Sequence, residues 1–269
     1  TGWSYHYLPG QLLTINKQTE RLNLSFFSTQ NALLYKLKMG RHYLNNELDV
    51  NYDRQAIAVA MGEEAEQENT YQLFRVYWTP SMSFAFSKQQ VVVKTRISYA
   101  HQAYRQSRTG HLWVDPSIQW NWKVSALSSF SADVGYTNSP LTGKSIYDTP
   151  IFTTYRTQKI NQGKTAVTHD LRATATYKYA NPVWGVFLNV SPMYARTSGN
   201  ILYENVLNDR IFTIVATDKK RATETTGLSG HISKTFGWAK TLLGLGASFT
   251  TTDYCMLVTG KVNVARMTV

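Results

Sequence analysis

Alternation with a period of two runs through almost the whole chain, and helical periodicity is nearly absent, which confines the fold to β-sheet. The clearest stretch, 167–179, sets Val167, Leu171, Ala173, Ala175, Tyr177 and Tyr179 against Thr168, Asp170, Arg172, Thr174, Thr176 and Lys178. A charge that recurs on one face only means that this face meets water. Trp184, Val186, Leu188, Val190 and Tyr194 make a second apolar stripe, and Leu243, Leu245, Ala247 and Phe249 a third. Leu44, Leu48, Val50 and Tyr52 are likewise opposed by Asn45, Glu47, Asp49 and Asn51.

Antiparallel sheets with one wet face also occur in soluble proteins, so the ends of the stripes carry the decision. Trp184 and Tyr194 bracket theirs about ten residues apart, the span of a tilted membrane strand with a ring at each interface. Trp120 and Trp122 close the stripe of Leu112, Val114 and Ile118, and Trp78 lies in that of Phe74, Val76, Met82 and Phe84. Repeated in this way, the rings read as girdles. Composition agrees: 13% aromatics supply the rings, and only 17% charged residues suit a chain with one face given to lipid. With 43% hydrophobic residues the chain is not disordered. A mean hydropathy of −0.31, with no run of ~18 apolar residues, excludes membrane-spanning helices.

Gap lengths give an independent test. Strands read at 3–15, 20–29, 32–39, 42–52, 71–87, 90–103, 111–123, 128–137, 167–180, 183–196, 222–235, 240–253 and 257–268 leave tight turns near Lys17-Gln18, Gly40-Arg41, Lys88-Gln89, Ser125-Ala126, Asn181-Pro182 and Gly237-Trp238. The long pieces 53–70, 138–166 and 197–221 then fall together at the opposite end, as in barrels with short periplasmic turns and long external loops. Pro80, Pro116 and Pro192 sit inside strands, and each is expected to break the ladder locally. No linker divides the chain, so 1–269 reads as a single β-barrel region with no plug domain.

Catalytic chemistry is hard to assemble from these residues. The histidines at 6, 42, 101, 111, 169 and 231 show no metal-binding spacing, although His101 and His111 flank one loop and could approach each other. Gly244-Leu245-Gly246 is no phosphate loop, and Cys255 has no cysteine partner. Asp115, Asp133 and Asp170 with Arg75, Arg96 and Arg172 read as paired charges lining a hydrated lumen. We therefore expect no enzyme, no cofactor and no metal. The net charge of +11 is scattered singly, without a basic helix, so nucleic acid is not an expected partner. Candidate capture residues lie in the long loops: Tyr147, Phe152, Tyr155 and Arg156 in one, Tyr203, Phe212, Lys219, Lys220 and Arg221 in another. Rings stack on flat ligands and arginines hold anions, but Tyr155-Arg156 could equally pin its loop. Glu63, Glu64, Glu66 and Glu68 mark 53–70 as a solvated acidic loop, with a lipopolysaccharide contact through divalent cations conceivable.

Tyr77-Trp78-Thr79-Pro80-Ser81, Trp113-Val114-Asp115-Pro116-Ser117, Tyr147-Asp148-Thr149-Pro150-Ile151 running to Tyr155-Arg156, and Tyr179-Ala180-Asn181-Pro182 carry a resemblance over roughly 71–264. In order and spacing the chain resembles the C-terminal barrel of Bacteroidetes-type TonB-dependent outer-membrane receptors. The resemblance implies an antiparallel transmembrane β-barrel in the bacterial outer membrane, of which 12–14 strands would be a fragment of about 22. It further implies uptake of a bulky nutrient by loop and lumen binding, passage gated by an absent plug, energy through TonB, contact with outer-membrane lipid and lipopolysaccharide, and a surface lipoprotein partner. An odd count of thirteen strands departs from the even number of single-chain bacterial barrels, and the end Arg266-Met267-Thr268-Val269 lacks a terminal aromatic. Two other readings stay open: a non-transporting barrel serving as adhesin or scaffold, and a soluble glycan-binding β-sandwich or propeller.

Overall fold

Alternating stripes become strands because each pairs its backbone with a neighbour while sending its two side-chain sets to opposite faces. The computed structural model describes residues 20–61, 67–104, 107–140, 151–154, 157–160, 167–208, 211–238, 240–258 and 261–269. Among these it is all-β: β1 (Glu20–Met39), β2 (His42–Met61), β3 (Gln67–Ala85), β4 (Gln89–Tyr104), β5 (Ser107–Trp122), β6 (Ser128–Pro140), β7 (Ile151–Thr154), β8 (Thr157–Ile160), β9 (Val167–Asn181), β10 (Val186–Gly199), β11 (Leu202–Asn208), β12 (Ile211–Thr217), β13 (Arg221–Phe236), β14 (Thr241–Val258) and β15 (Lys261–Thr268).

Eleven of these form an up-and-down antiparallel meander in the order β1-β2-β3-β4-β5-β6-β9-β10-β13-β14-β15. The sheet does not close on itself among the described residues, as expected of part of a larger barrel. Among the described residues there is one continuous sheet, not the two separate sheets of a sandwich. The turns near 40, 87, 125, 183 and 238 all lie at one end, and the long connections at the other.

Three expectations are corrected. The strands read at 20–29 and 32–39 are one strand, because Gln30 and Asn31 keep pairing with Asn51 and Val50. The piece 53–70 is largely ladder: Asp53 pairs with Leu73 and the register runs on to Val59↔Gln67, leaving only 62–66 outside the described residues. The long connections 138–166 and 197–221 are not plain loops, since they carry the β7–β8 and β11–β12 hairpins. The strand expected over 3–15 and its turn at Lys17-Gln18 lie outside the described residues.

The three prolines do interrupt pairing, each on one side. The β3–β4 register skips from Trp78↔Ile97 to Ser81↔Lys94 around Pro80. The β9–β10 register skips from Val190↔Tyr177 to Met193↔Thr174 around Pro192. The β5–β6 ladder ends at Ser117↔Gly135, just before Pro116.

Burial is inverted relative to a soluble protein. Leu33, Leu112 and Leu245 are 68%, 71% and 71% exposed, whereas Gln102 and Ser98 on the opposite face are 1% exposed. Registered rows make the apolar face continuous: Leu48, Trp78, Ile97 and Val114 lie side by side, as do Leu188, Ile232 and Leu245. Rings collect at the short-turn end, where Trp120 stacks on Trp122 at 5.7 Å and meets Phe130 edge-on at 5.4 Å, and Phe236 meets Trp238 at 6.5 Å.

Candidate functional site

The polar face of β2–β5 is a grid of cross-strand rows. Asp53, Leu73, Gln102 and Thr109 form one; Asn51, Arg75, Ala100 and His111 the next; Asp49, Tyr77, Ser98 and Trp113 a third. Tyr71, Leu73, Ala100 and Tyr104 pack together here with Trp113 against them, and His111 stacks on Trp113 at 5.4 Å. An aromatic and polar wall results, with Gln102, Ser98 and Thr109 carrying buried side-chain atoms that have no hydrogen-bond partner among the described residues.

Two ion pairs lie on this wall. Arg75 Nη2 donates to Asp53 Oδ2 at 2.8 Å while Ser28 Oγ donates to Oδ1 at 2.6 Å. Arg96 gives Nε and Nη2 to Asp115 Oδ2 at 3.0 and 2.7 Å. Asp115 Oδ1 accepts from the backbone N–H and Nδ2 of Asn138, whose Oδ1 is bonded to His169 Nδ1. The Tyr77 ring lies between the two guanidiniums, 5.6 Å from that of Arg75 and 5.3 Å from that of Arg96. The expected lining of paired charges is therefore present for Asp115, Arg96 and Arg75. Asp170 instead accepts from Thr197 at 2.6 Å, and Asp133 and Arg172 stand exposed in different rows. Asp53, the partner of Arg75, escaped the sequence reading because its segment reads as loop; only the β2–β3 register reveals it.

His101 and His111 cannot approach each other as the sequence allowed. His111 pairs with Ala100 and His101 with Gly110, so the two rings leave on opposite faces. No group of three His, Cys, Asp or Glu is placed to hold a metal among the described residues.

Of the expected capture residues, Tyr147, Tyr155 and Arg156 lie outside the described residues. Phe152, Tyr203 and Phe212 belong to a small four-stranded patch at the long-loop end, whereas Lys219 and Lys220 lie in the link to β13 and Arg221 opens β13. There β8 pairs parallel to β12, with Phe212↔Thr157 through Val215↔Ile160, and β11 pairs parallel to the end of β14 through Glu204↔Leu257 and Asn205↔Val258. Phe152 pairs with Gln158 on β8, so the backbones of Phe152 and Phe212 come into one sheet. Phe212 is half exposed, and Tyr203 packs on Ile201 and Ala216. Lys159 Nζ sits 4.6 Å from the centre of the Tyr203 ring, a link between the two connections that the sequence did not suggest. Burial holds the Lys159 ammonium below its ordinary pKa range and pushes the Tyr203 phenol up, partly offset by the Arg221 charge. Lys219 and Lys220 are exposed.

An up-and-down sheet with an apolar outer face, a polar inner wall, short turns at one end and structured connections at the other is the architecture of a transmembrane barrel wall. No protein-family model and no curated protein matches the chain. Solved structures do. The copper transporter OprC superposes with a TM-score of 0.62, at 8% identity, over 91% of this chain and 40% of its own. The ferric citrate transporter FecA, unliganded, gives 0.52 at 10% identity over 93% and 37%. The ferripyoverdine receptor of the outer membrane of Pseudomonas aeruginosa, bound to ferripyoverdine, gives 0.50 at 8% identity over 99% and 44%. The chain thus spans about two-fifths of the length of these structures, and its fold is that of part of such a barrel.

Proposed function

We propose that this chain is a barrel portion of a TonB-dependent outer-membrane receptor that imports a bulky nutrient and performs no covalent chemistry. The observation that carries this reading is the inverted burial: large apolar side chains face outward while Gln102, Ser98 and Asp115 are buried on the inner wall. Lipid is the medium that reconciles the two, since backbone polar groups of a ladder are already satisfied within the sheet. The solved structures with the same fold are named as transporters and receptors, which supports the same class of function here.

On this reading the long-loop end faces outward, and its patch holding Phe152, Tyr203 and Phe212 meets the nutrient first, together with Tyr147, Tyr155 and Arg156 of the 138–166 segment. The inner wall of Tyr71, Tyr77, Trp113, Arg75 and Arg96 lines the passage, a plug gates it, and TonB supplies the energy. Bacteroidetes origin, a fragment of a barrel of about 22 strands, contact with lipopolysaccharide and a surface lipoprotein partner belong to the same proposal.

Expression within its full native reading frame tests it. The product should fractionate with the outer membrane and need detergent for extraction, and deleting the gene should abolish growth on one limiting nutrient. A monodisperse protein in detergent-free buffer would refute the membrane reading; normal growth on every nutrient tried would leave the barrel but remove transport.

A further inference from the structure

We propose that the short-turn end carries a binding site for a phosphate group, formed by Lys88, Lys123 and Lys178. These lysines come from the β3–β4 turn, the β5–β6 turn and β9, and they line one open cavity of about 560 Å³. The rest of its lining is uncharged: Ser87, Ser129, Ser131 and Asn121 contribute hydroxyl and amide groups, and Trp122 and Phe130 contribute rings. No carboxylate lines the cavity, and among the described residues none of the three ammonium groups forms an ion pair.

Backbone hydrogen bonds join the three segments. Lys123 N–H donates to Lys88 O at 2.7 Å, joining the two turns, and Ala180 N–H donates to Leu127 O at 2.7 Å, joining β9 to the second turn. Three exposed cations around one cavity repel one another, with no carboxylate in its lining to offset the repulsion. An anion that brings more than one charge and several acceptor oxygens resolves this best. Phosphate does so, and lysine serves it as a point charge without the planar geometry that favours arginine for carboxylates.

Two sources offer the same group: a soluble phosphate and the headgroup of a phospholipid. The adjoining Trp120, Trp122 and Phe130 rings place the cavity at girdle height. Lys178, Asn121, Ser129 and Ser131 lie on the polar face opposite those rings, so a lipid headgroup would reach the site only by bending over the rim of the sheet if the chain spans a membrane as proposed above. Only that choice of source rests on the membrane reading, because the lysine cluster itself does not.

The test is a titration of the purified full chain, followed by tryptophan fluorescence, with inorganic phosphate, pyrophosphate and short-chain phosphatidylglycerol as probes, and glycerol as a blank. Saturable binding is expected, weakened roughly tenfold or more in the K88Q/K123Q/K178Q variant and, should that variant fail to fold, in K178Q alone. Response to phosphatidylglycerol only assigns a lipid site; response to the soluble anions as well assigns a free-phosphate site. Absence of saturable binding by any probe, or equal binding by the lysine variants, overturns the proposal. A chain that is soluble without detergent yet still binds phosphate would sink the membrane reading and leave this site intact.

Discussion

Asp115 Oδ1 accepts the backbone N–H of Asn138 at 2.9 Å, beyond the point where Pro116 brings the β5–β6 ladder to an end. A side chain thus takes up a donor that the broken ladder would strand. The same carboxylate, 4% exposed, holds Arg96 through its other oxygen.

Replacing Asp115 with alanine should therefore cost about 2–4 kcal/mol, because it strands the Asn138 donors and leaves Arg96 unpaired. The loss stays below that of a deeply buried pair, since a third of the Arg96 side chain meets solvent. Urea unfolding in lipid vesicles measures it. The more exposed Asp253–Arg266 pair is the control, and D253N should move the midpoint much less than D115A does.

Gly185 has φ +61°, and a Cβ there would meet Thr235 O at 2.7 Å, while Thr235 N–H donates to Gly185 O. G185A should destabilise the β9–β10 hairpin by about 2 kcal/mol or more, from left-handed strain plus a backbone clash. Gly237 has open space around its would-be Cβ, so G237A should stay within about 0.5 kcal/mol. Thermal denaturation of the two variants side by side separates them.

The outward face gives a positional test. L245R places a guanidinium in the row of Leu188 and Ile232 and should cost about 2–4 kcal/mol in a bilayer, against about 0–1 kcal/mol for S248R on the opposite face of β14. Equal penalties in vesicles would contradict the assignment of faces.

The contact between Lys159 and Tyr203 gives a pH test. With its pKa raised, Tyr203 contributes stability that is intact below the ordinary tyrosine value of about 10 and lost as pH rises through the higher folded value. With its pKa lowered, Lys159 carries a burial penalty that is present below its folded value and relieved as pH rises toward about 10.4. Protection of the outer hairpins from protease should hold or improve up to about pH 10 and then fall. The difference in tyrosinate absorbance between the parent chain and Y203F should titrate above the ordinary tyrosine value of about 10. Titration at the ordinary value would show that the Tyr203 phenol is not buried.

Strand faces and tight turns were legible because each depends on neighbours in sequence. The alternation at 167–179 and the turn at Gly40-Arg41 survive intact in β9 and in the β1–β2 turn. What failed depends on partners far along the chain. Gln30-Asn31 looks like a break until Asn51 and Val50 are known to lie opposite, and the acidic 53–70 looks like a loop until Asp53 is seen to pair with Arg75 and accept a hydrogen bond from Ser28. His101 and His111 looked like partners until register sent them to opposite faces. The β7–β8 and β11–β12 hairpins left no trace at all, being too short for a periodic signal and joined by pairings that sequence proximity does not predict.

Those parallel pairings, β8 with β12 and β11 with β14, are exceptions in an antiparallel sheet, and they set an order of assembly. Every hairpin of the meander can zip from its own turn, whereas Thr157 must find Phe212 across the completed β9–β10 hairpin. Closing so long a contact has little reward until the wall is in place, so the outer patch is the last part to form. Anyone transplanting one of these two connections into another barrel has to move both.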